Sequence, residues 1–236
     1  MSIDADALAA SLKRLATQPG DGGVLAALDR VTEACVDLFG VTGSGIMIAD
    51  EQDVTRYVAA SDGPGRVLEK LESGTGQGPC TEAFVNNRLV ACADLTSDDR
   101  WPELATMMAG LGVHAVLGVP VRLGAVPVGT LDVYRDRPHE WGTNEQRALA
   151  SYSDVVGTTL TAALRAHTAG ELVGQLQYAL DYRVVIERAV GFLMAAEGVD
   201  AVTAFNRLRR AARNRQSRIG EMAEQLLATG RLPARP

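Results

Sequence analysis

Apolar residues recur at helical spacing over 1–18 (Leu8, Leu12, Leu15) and over 24–39 (Leu25, Leu28, Val31, Cys35, Leu38), which predicts two amphipathic helices. The breaker PGDGG at 19–23 separates them, and Gly40 closes the second. The pattern then changes to short, β-branched apolar runs bounded by turn residues, at 45–49, 54–59, 89–92, 115–121 and 126–134. Residues 50–53 and 123–125 read as hairpin turns. Helical pattern lies between the runs, near 66–72, 80–87 and 102–111. Antiparallel strands in a meander, with helices packed on one side, are the expected result: an α+β domain.

From Thr143 the chain reads as helix to its end. Thr143 is a candidate N-cap with Gln146 three residues on. Leu149, Tyr152, Val156, Leu160 and Leu164 then form one stripe. A second stripe, Leu172, Leu176, Ala179, Arg183, Ile186, Val190 and Leu193, runs in steps of four and three. This is a heptad-like seam with a cation at one position. It suits either a dimerising stalk or a helix packed back on its own domain. Gly170 and Gly174, each costing about 1 kcal/mol in a helix interior, mark the break between the stripes. Gly198 stops the long helix, Asp200 caps a second over 201–215, and Ser217 caps a third over 218–229 that Gly230 closes. Three helices of unequal length make a small bundle.

Composition adds exclusions. At 236 residues, 47% hydrophobic and 22% charged, the chain is not wholly disordered. It contains no run of 18 apolar residues, so no membrane helix is expected. Its first six residues carry two acids and no base, which argues against a secretory signal. Three cysteines without a CxxC pair make no disulfide framework, and a reducing cytoplasm is the expected location.

The net charge of −6 conceals an asymmetry: residues 171–236 hold ten arginines and seven acids, for +3, and the rest of the chain stands at −9. A basic segment on an acidic chain suits a polyanionic partner. Six arginines and no acid lie between 207 and 218. On a helical wheel Phe205, Leu208 and Ala212 share one face; Asn206, Arg207, Arg210, Arg213 and Asn214 lie broadly opposite. Arg209 flanks the apolar stripe, and Arg215 and Arg218 fall at the next turn. Arginine neutralises phosphates and stacks on or bonds unpaired bases, and asparagine adds donors and acceptors for base edges. Tyr178 and Tyr182 read as stalk or core residues, and Gly191 and Ala212 as places of close helix packing.

Two family resemblances rest on these residues. QLQYALDYRVVIERAVGFLMAAEGVD (175–200), Ala204 and Phe205, LRRAA (208–212) and EMA (221–223) resemble the three helices of an ANTAR domain over about 60 residues. One departure stands out: Val190 occupies the place of the family's lysine before Gly191, and Arg188 lies two places earlier. Residues 20–165 resemble a GAF domain through GTGQGPC (74–80), LGV (111–113), VPV (119–121), GTLDVY (129–134) and WGTNE (141–145). The division expected is an N-terminal arm at 1–19, a GAF sensor at 20–168 and an ANTAR domain at 169–236.

This order resembles actinobacterial GAF–ANTAR regulators. It implies a cytoplasmic, signal-responsive transcription antiterminator, not an enzyme. The implied partners are stem-loop RNA (tandem hairpins in nascent transcripts), a second copy held through the helical stalk, a small-molecule GAF ligand of unspecified identity, and no membrane. Its RNA-contacting set would be Arg188, Asn206, Arg207, Arg209, Arg210, Arg213, Asn214, Arg215 and Arg218.

Two alternatives stay open. A helix-turn-helix DNA-binding regulator is one, although the long first helix and the arginine spacing fit it less well. A GAF-fold redox sensor or methionine sulfoxide reductase using Cys80 and Cys92 is the other, although no flanking cation lowers either thiol pKa. No catalytic or metal set is expected: His114, His139 and His167 are scattered, and the glycines at 74, 76 and 78 read as a turn, not a phosphate cradle. His114, in the strand region, reads as an ordinary pocket residue and not a haem ligand.

Overall fold

The structure is a computed structural model that describes residues 3–17, 22–50, 55–61, 63–166 and 170–233. The breaker at 19–21, the turn residues 51–53 and His167 lie outside the described residues. In chain order the elements are α1 (Ala5–Thr17), α2 (Gly23–Phe39), β1 (Gly43–Ala49), β2 (Thr55–Ala60), α3 (Gly63–Thr75), α4 (Pro79–Asn86), β3 (Val90–Cys92), α5 (Pro102–Met108), β4 (Ala115–Leu123), β5 (Val126–Arg135), α6 (Thr143–Ala166), α7 (Glu171–Glu197), α8 (Ala201–Asn214) and α9 (Ile219–Thr229).

The five strands pair antiparallel in the order β2-β1-β5-β4-β3. This differs from the expected meander. After β2 the chain crosses through α3 and α4 to the far edge, so that β3, β4 and β5 return inward and β5 closes on β1. Helices cover both faces, not one. Ile46, Ile48, Leu117, Val119, Leu131 and Val133 pack with α2 and α6. Met47, Val116 and Tyr134 pack with α3, α4 and α5. The reason is in the strands themselves: all of β1 is buried, so neither face can be left wet.

Thr143 is the first helical residue of α6 and does not cap it. The Glu145 carboxylate takes the Gly142 N–H at 2.9 Å and lies 2.9 Å from His139 Nε2, while Gln146 Nε2 donates to the Trp141 carbonyl at 2.8 Å. Asp200 does cap α8, accepting from the Thr203 N–H at 2.8 Å. Ser217 does not cap α9. Its hydroxyl reaches back to the Ala212 carbonyl at 3.5 Å, and Glu221 instead accepts the Arg218 N–H at 3.4 Å. Gly198 and Gly230 close α7 and α9 in the left-handed conformation.

The stripe on α7 is buried along its whole length, within its own chain. Leu172, Leu176 and Ala179 join the core shared by the sheet, α2 and α6. Ile186, Val190 and Leu193 join a second core with Phe205, Leu208, Ala212, Ile219, Met222 and Leu226. Arg183 sits at the crossover, 3% exposed. The helix is therefore packed back on its own chain. Where α9 crosses α7, the Gly220 N–H donates to the Tyr178 hydroxyl at 2.8 Å, and Tyr178 stacks on Tyr182 with ring centres 4.6 Å apart. Both tyrosines are structural, as the sequence suggested. The second core also takes in Ala49 and Phe84 from the sheet domain, so the bundle rests on that domain.

Candidate nucleic-acid interface

The basic residues of the bundle divide into two groups. Arg188, Arg207, Arg210, Arg213, Asn214, Arg215 and Arg218 are exposed. Arg207 pairs with Glu197 at the end of α7, and the Arg218 guanidinium lies 5.5 Å from the centre of the Tyr178 ring. Among the described residues, Arg188, Arg210 and Arg213 have no ion-pair partner. Arg207, Arg210, Arg213 and Asn214 form an exposed cationic face on α8, which Arg215 and Arg218 continue at the turn after it; Arg188 is exposed on α7, about half a helical turn from the Ile186, Val190 and Leu193 face that meets α8.

Asn206 and Arg209 do not share that surface. Arg209 is 4% exposed, and Asn206 Nδ2 donates to the Gly76 carbonyl at 2.6 Å. The approach is close enough that a Cβ on Gly76 would stand 2.6 Å from Arg209 Nη2 and 2.7 Å from Asn206 Cγ. On the wheel Arg209 borders the Phe205–Ala212 stripe, which explains why it turns inward with Phe205. The loop that covers it comes from 130 residues earlier in the chain. In this arrangement both side chains face the sheet domain, Arg209 buried and Asn206 part-buried with its amide bonded to Gly76.

Arg183, absent from the expected contact set, is a second cation at this seam, beside Arg209. Its Nη2 donates to the Phe84 carbonyl at 3.3 Å, its guanidinium lies 4.6 Å from the Phe84 ring centre, and its Nε lies 3.0 Å from Glu187 Oε1. Phe84 meets Phe205 edge-on, with centroids 6.2 Å apart. The signal in the sequence was the arginine in a heptad seam, which marks a place where the helix changes partners. Gly191 is also placed differently from expectation: a Cβ there would meet nothing within 4 Å, so among the described residues no helix packs on it.

Beneath the seam lies a buried polar cluster that the sequence reading missed. Glu72, 1% exposed, accepts the Cys80 N–H at 3.3 Å and the Thr81 N–H at 2.7 Å, and so caps α4 from inside. The glycine-rich turn therefore is not a phosphate cradle, because its helix-opening N–H groups are already satisfied. Gly78 must be glycine, with φ of 139° and Glu72 Cδ 2.3 Å from where a Cβ would sit. The available signal was an acid four residues after Leu68, within the apolar stripe of α3.

Burial pushes Glu72 up to about 7, against the lowering effect of the two N–H donors. A raised carboxyl pKa adds stability at pH below the unfolded value and loses it as pH rises through the folded one. The stability of the wild type is thus expected to fall by roughly 3 kcal/mol between pH 4.5 and about 7 on account of this group. Denaturant titrations across that window should show the slope in the wild type and its absence in Glu72→Gln, whatever the variant's absolute stability.

All three thiols are buried. Burial, with Glu72 and Asp132 beside it, pushes Cys80 well above its ordinary value; burial pushes Cys92 up to about 12, and Cys35 is raised likewise. Cys92 Sγ lies 3.3 Å from Asp98 Oδ2. Thiols of this kind are poor nucleophiles. His114 Nδ1 is 3.1 Å from Asp94 Oδ1, a partly exposed pair just before β4. Among the described residues no group of three His, Cys, Asp or Glu side chains is placed to hold a metal ion, and no helix is long and apolar enough to cross a membrane.

A sheet clad in helices on both faces, carrying a helical module with a cationic surface, defines a sensor domain joined to an output domain. Residues 24–160 match the GAF domain family and residues 174–227 the ANTAR domain; the chain belongs to the GAF family and is a regulatory protein of GAF–ANTAR architecture.

Solved structures agree on the fold of the first part. The GAF domain of the Acinetobacter phosphoenolpyruvate-protein phosphotransferase is 16% identical with a TM-score of 0.54, covering 69% of this chain and 95% of its own. The corresponding domain from Coxiella burnetii is 17% identical with a TM-score of 0.54, covering 70% and 95%. The free methionine-R-sulfoxide reductase of Neisseria meningitidis is 14% identical with a TM-score of 0.53, covering 68% and 89%. No curated protein matches the chain.

Proposed function

We propose that this protein is a cytoplasmic, signal-responsive transcription antiterminator whose ANTAR bundle binds stem-loop RNA under control of the GAF domain. The observation that carries the reading is the exposed arginine surface of α8 and its turn, with Arg207, Arg210, Arg213, Arg215 and Arg218 open on a chain that is acidic elsewhere. Asn214 at the end of α8 extends that surface, and Arg188, exposed on α7, is a separate contact of the same RNA. Guanidinium groups at this density engage both phosphates and the splayed bases of a hairpin loop. Arg209 and Asn206 belong to the same contact set once the bundle has left the GAF domain.

A homodimer through the α7 seam, presenting two bundles to tandem hairpins, belongs to that undocked state. In the docked state the chain's own cores cover the seam. The GAF ligand is a small molecule.

The test is binding of the full-length protein to a tandem-hairpin RNA, a scrambled RNA duplex of equal length and duplex DNA, at about 50 and 200 mM salt. The hairpin RNA is expected to bind best and to weaken with salt. Equal affinity for all three would remove the stem-loop reading, and a preference for duplex DNA would favour a DNA-binding regulator.

A further inference from the structure

The turn at 74–78 is held from both sides. On its outer side Gly76 accepts from Asn206 and packs against Arg209. On its inner side Gly76 N–H donates to the Glu72 carbonyl, and the Glu72 carboxylate holds the first N–H groups of α4. α4 itself carries Phe84, which Phe205 and Arg183 grip from the bundle. The same short helix thus meets the GAF interior through its first turn and the ANTAR bundle through its last. Cys80, between Glu72 and Asp132, links it to β5.

We propose that the 74–78 turn and α4 form a two-sided latch: displacement of the first turn of α4 from inside the GAF core frees Asn206 and Arg209 and raises RNA affinity. This rests on the RNA-binding reading given above. The docked state withholds Arg209 from phosphate, so release makes the salt dependence of binding steeper as well as the affinity higher; each added phosphate contact contributes roughly 0.7 to the slope on a single strand. The effect on affinity is about tenfold, within the range usual for coupled sites.

Two full-length variants test it. In Gly76→Cys/Asn206→Cys the approach seen at Gly76 puts the two Cβ positions within about 4 Å, in disulfide reach. The three native cysteines are buried. Oxidation should lock the latch and weaken hairpin binding about tenfold, with recovery on reduction, while the wild type is indifferent to reductant. Gly76→Asn does the opposite: asparagine tolerates positive φ, but its Cβ evicts Asn206 and Arg209, so affinity should rise about tenfold.

Failure of the cross-link to form, when Gly76→Cys alone binds hairpin RNA as the wild type does, would mean that the bundle does not dock on this turn; a Gly76→Cys single variant that binds more tightly would instead report the same eviction as Gly76→Asn. A cross-link that leaves RNA affinity unchanged, or a Gly76→Asn variant that binds as the wild type does, would overturn the latch and leave the RNA reading intact. Absence of hairpin binding by the wild type and by Gly76→Asn alike would overturn the RNA reading, and the latch with it.

Discussion

Replacement of Phe205 by alanine is expected to destabilise the C-terminal bundle by about 3–5 kcal/mol. Phe205 is 2% exposed and stands at the junction of the two domains. One side fills the space among Ile186, Val190, Leu208, Ala212 and Met222, and the other meets the edge of Phe84. The small bundle has few other large side chains with which to close the cavity. α8 is also rich in exposed cations that repel one another, so packing and not charge holds it. Part of the loss falls on the interface, where an aromatic pair adds about 0.5–1.5 kcal/mol beyond its buried area. Guanidinium unfolding followed by far-UV circular dichroism would measure the change. A loss under about 1 kcal/mol would show that Phe205 does not organise this core.

Simultaneous replacement of Arg207, Arg210, Arg213 and Arg215 by alanine is expected to reduce hairpin RNA affinity by on the order of 10³-fold at 0.1 M salt. The estimate follows from counterion release: four lost phosphate contacts at about 0.7 each flatten the salt slope by roughly 3, and the two proteins converge near 1 M salt. All four side chains are exposed. Arg207 pairs with Glu197 at the surface, and the loss of that pair costs under about 1 kcal/mol. Thermal stability should therefore change little while binding collapses, which separates this variant from Phe205→Ala. Fluorescence anisotropy at several salt concentrations gives both affinity and slope. An unchanged slope would identify the arginines as a solvated face with no part in RNA contact.

Much of the architecture can be read from local pattern. The strands lie close to the β-branched runs, the 123–125 turn joins β4 and β5, and Asp200, Gly198 and Gly230 cap or stop the helices as their chemistry requires. Such features depend on residues within a few positions of one another. The misreadings fall where another group supplied what a residue seemed to offer. Thr143 and Ser217 have the right chemistry for capping, but Glu145 and Glu221 do that work. The meander was the simplest order for five short strands, whereas the crossover between β2 and β3 carried the chain to the other edge.

The interface shows the same division. The arginine-rich surface was legible because net charge and helical period are properties of the sequence itself. Which of those arginines face solvent was not legible. Arg209 differs from Arg210 by one step on a helix, and only the docking of α8 on a turn 130 residues away buries the first and leaves the second open. Glu72 is comparable: an acid on α3 looks like a surface residue until α4 folds over it and presents two N–H groups. By itself the sequence determined the two kinds of domain, their order and the excess of cations at one end, because composition and periodicity act over one or two turns. The tertiary structure alone decided which cations are withheld and what the buried carboxylate holds, because burial and pairing arise between surfaces that meet only after the chain has folded.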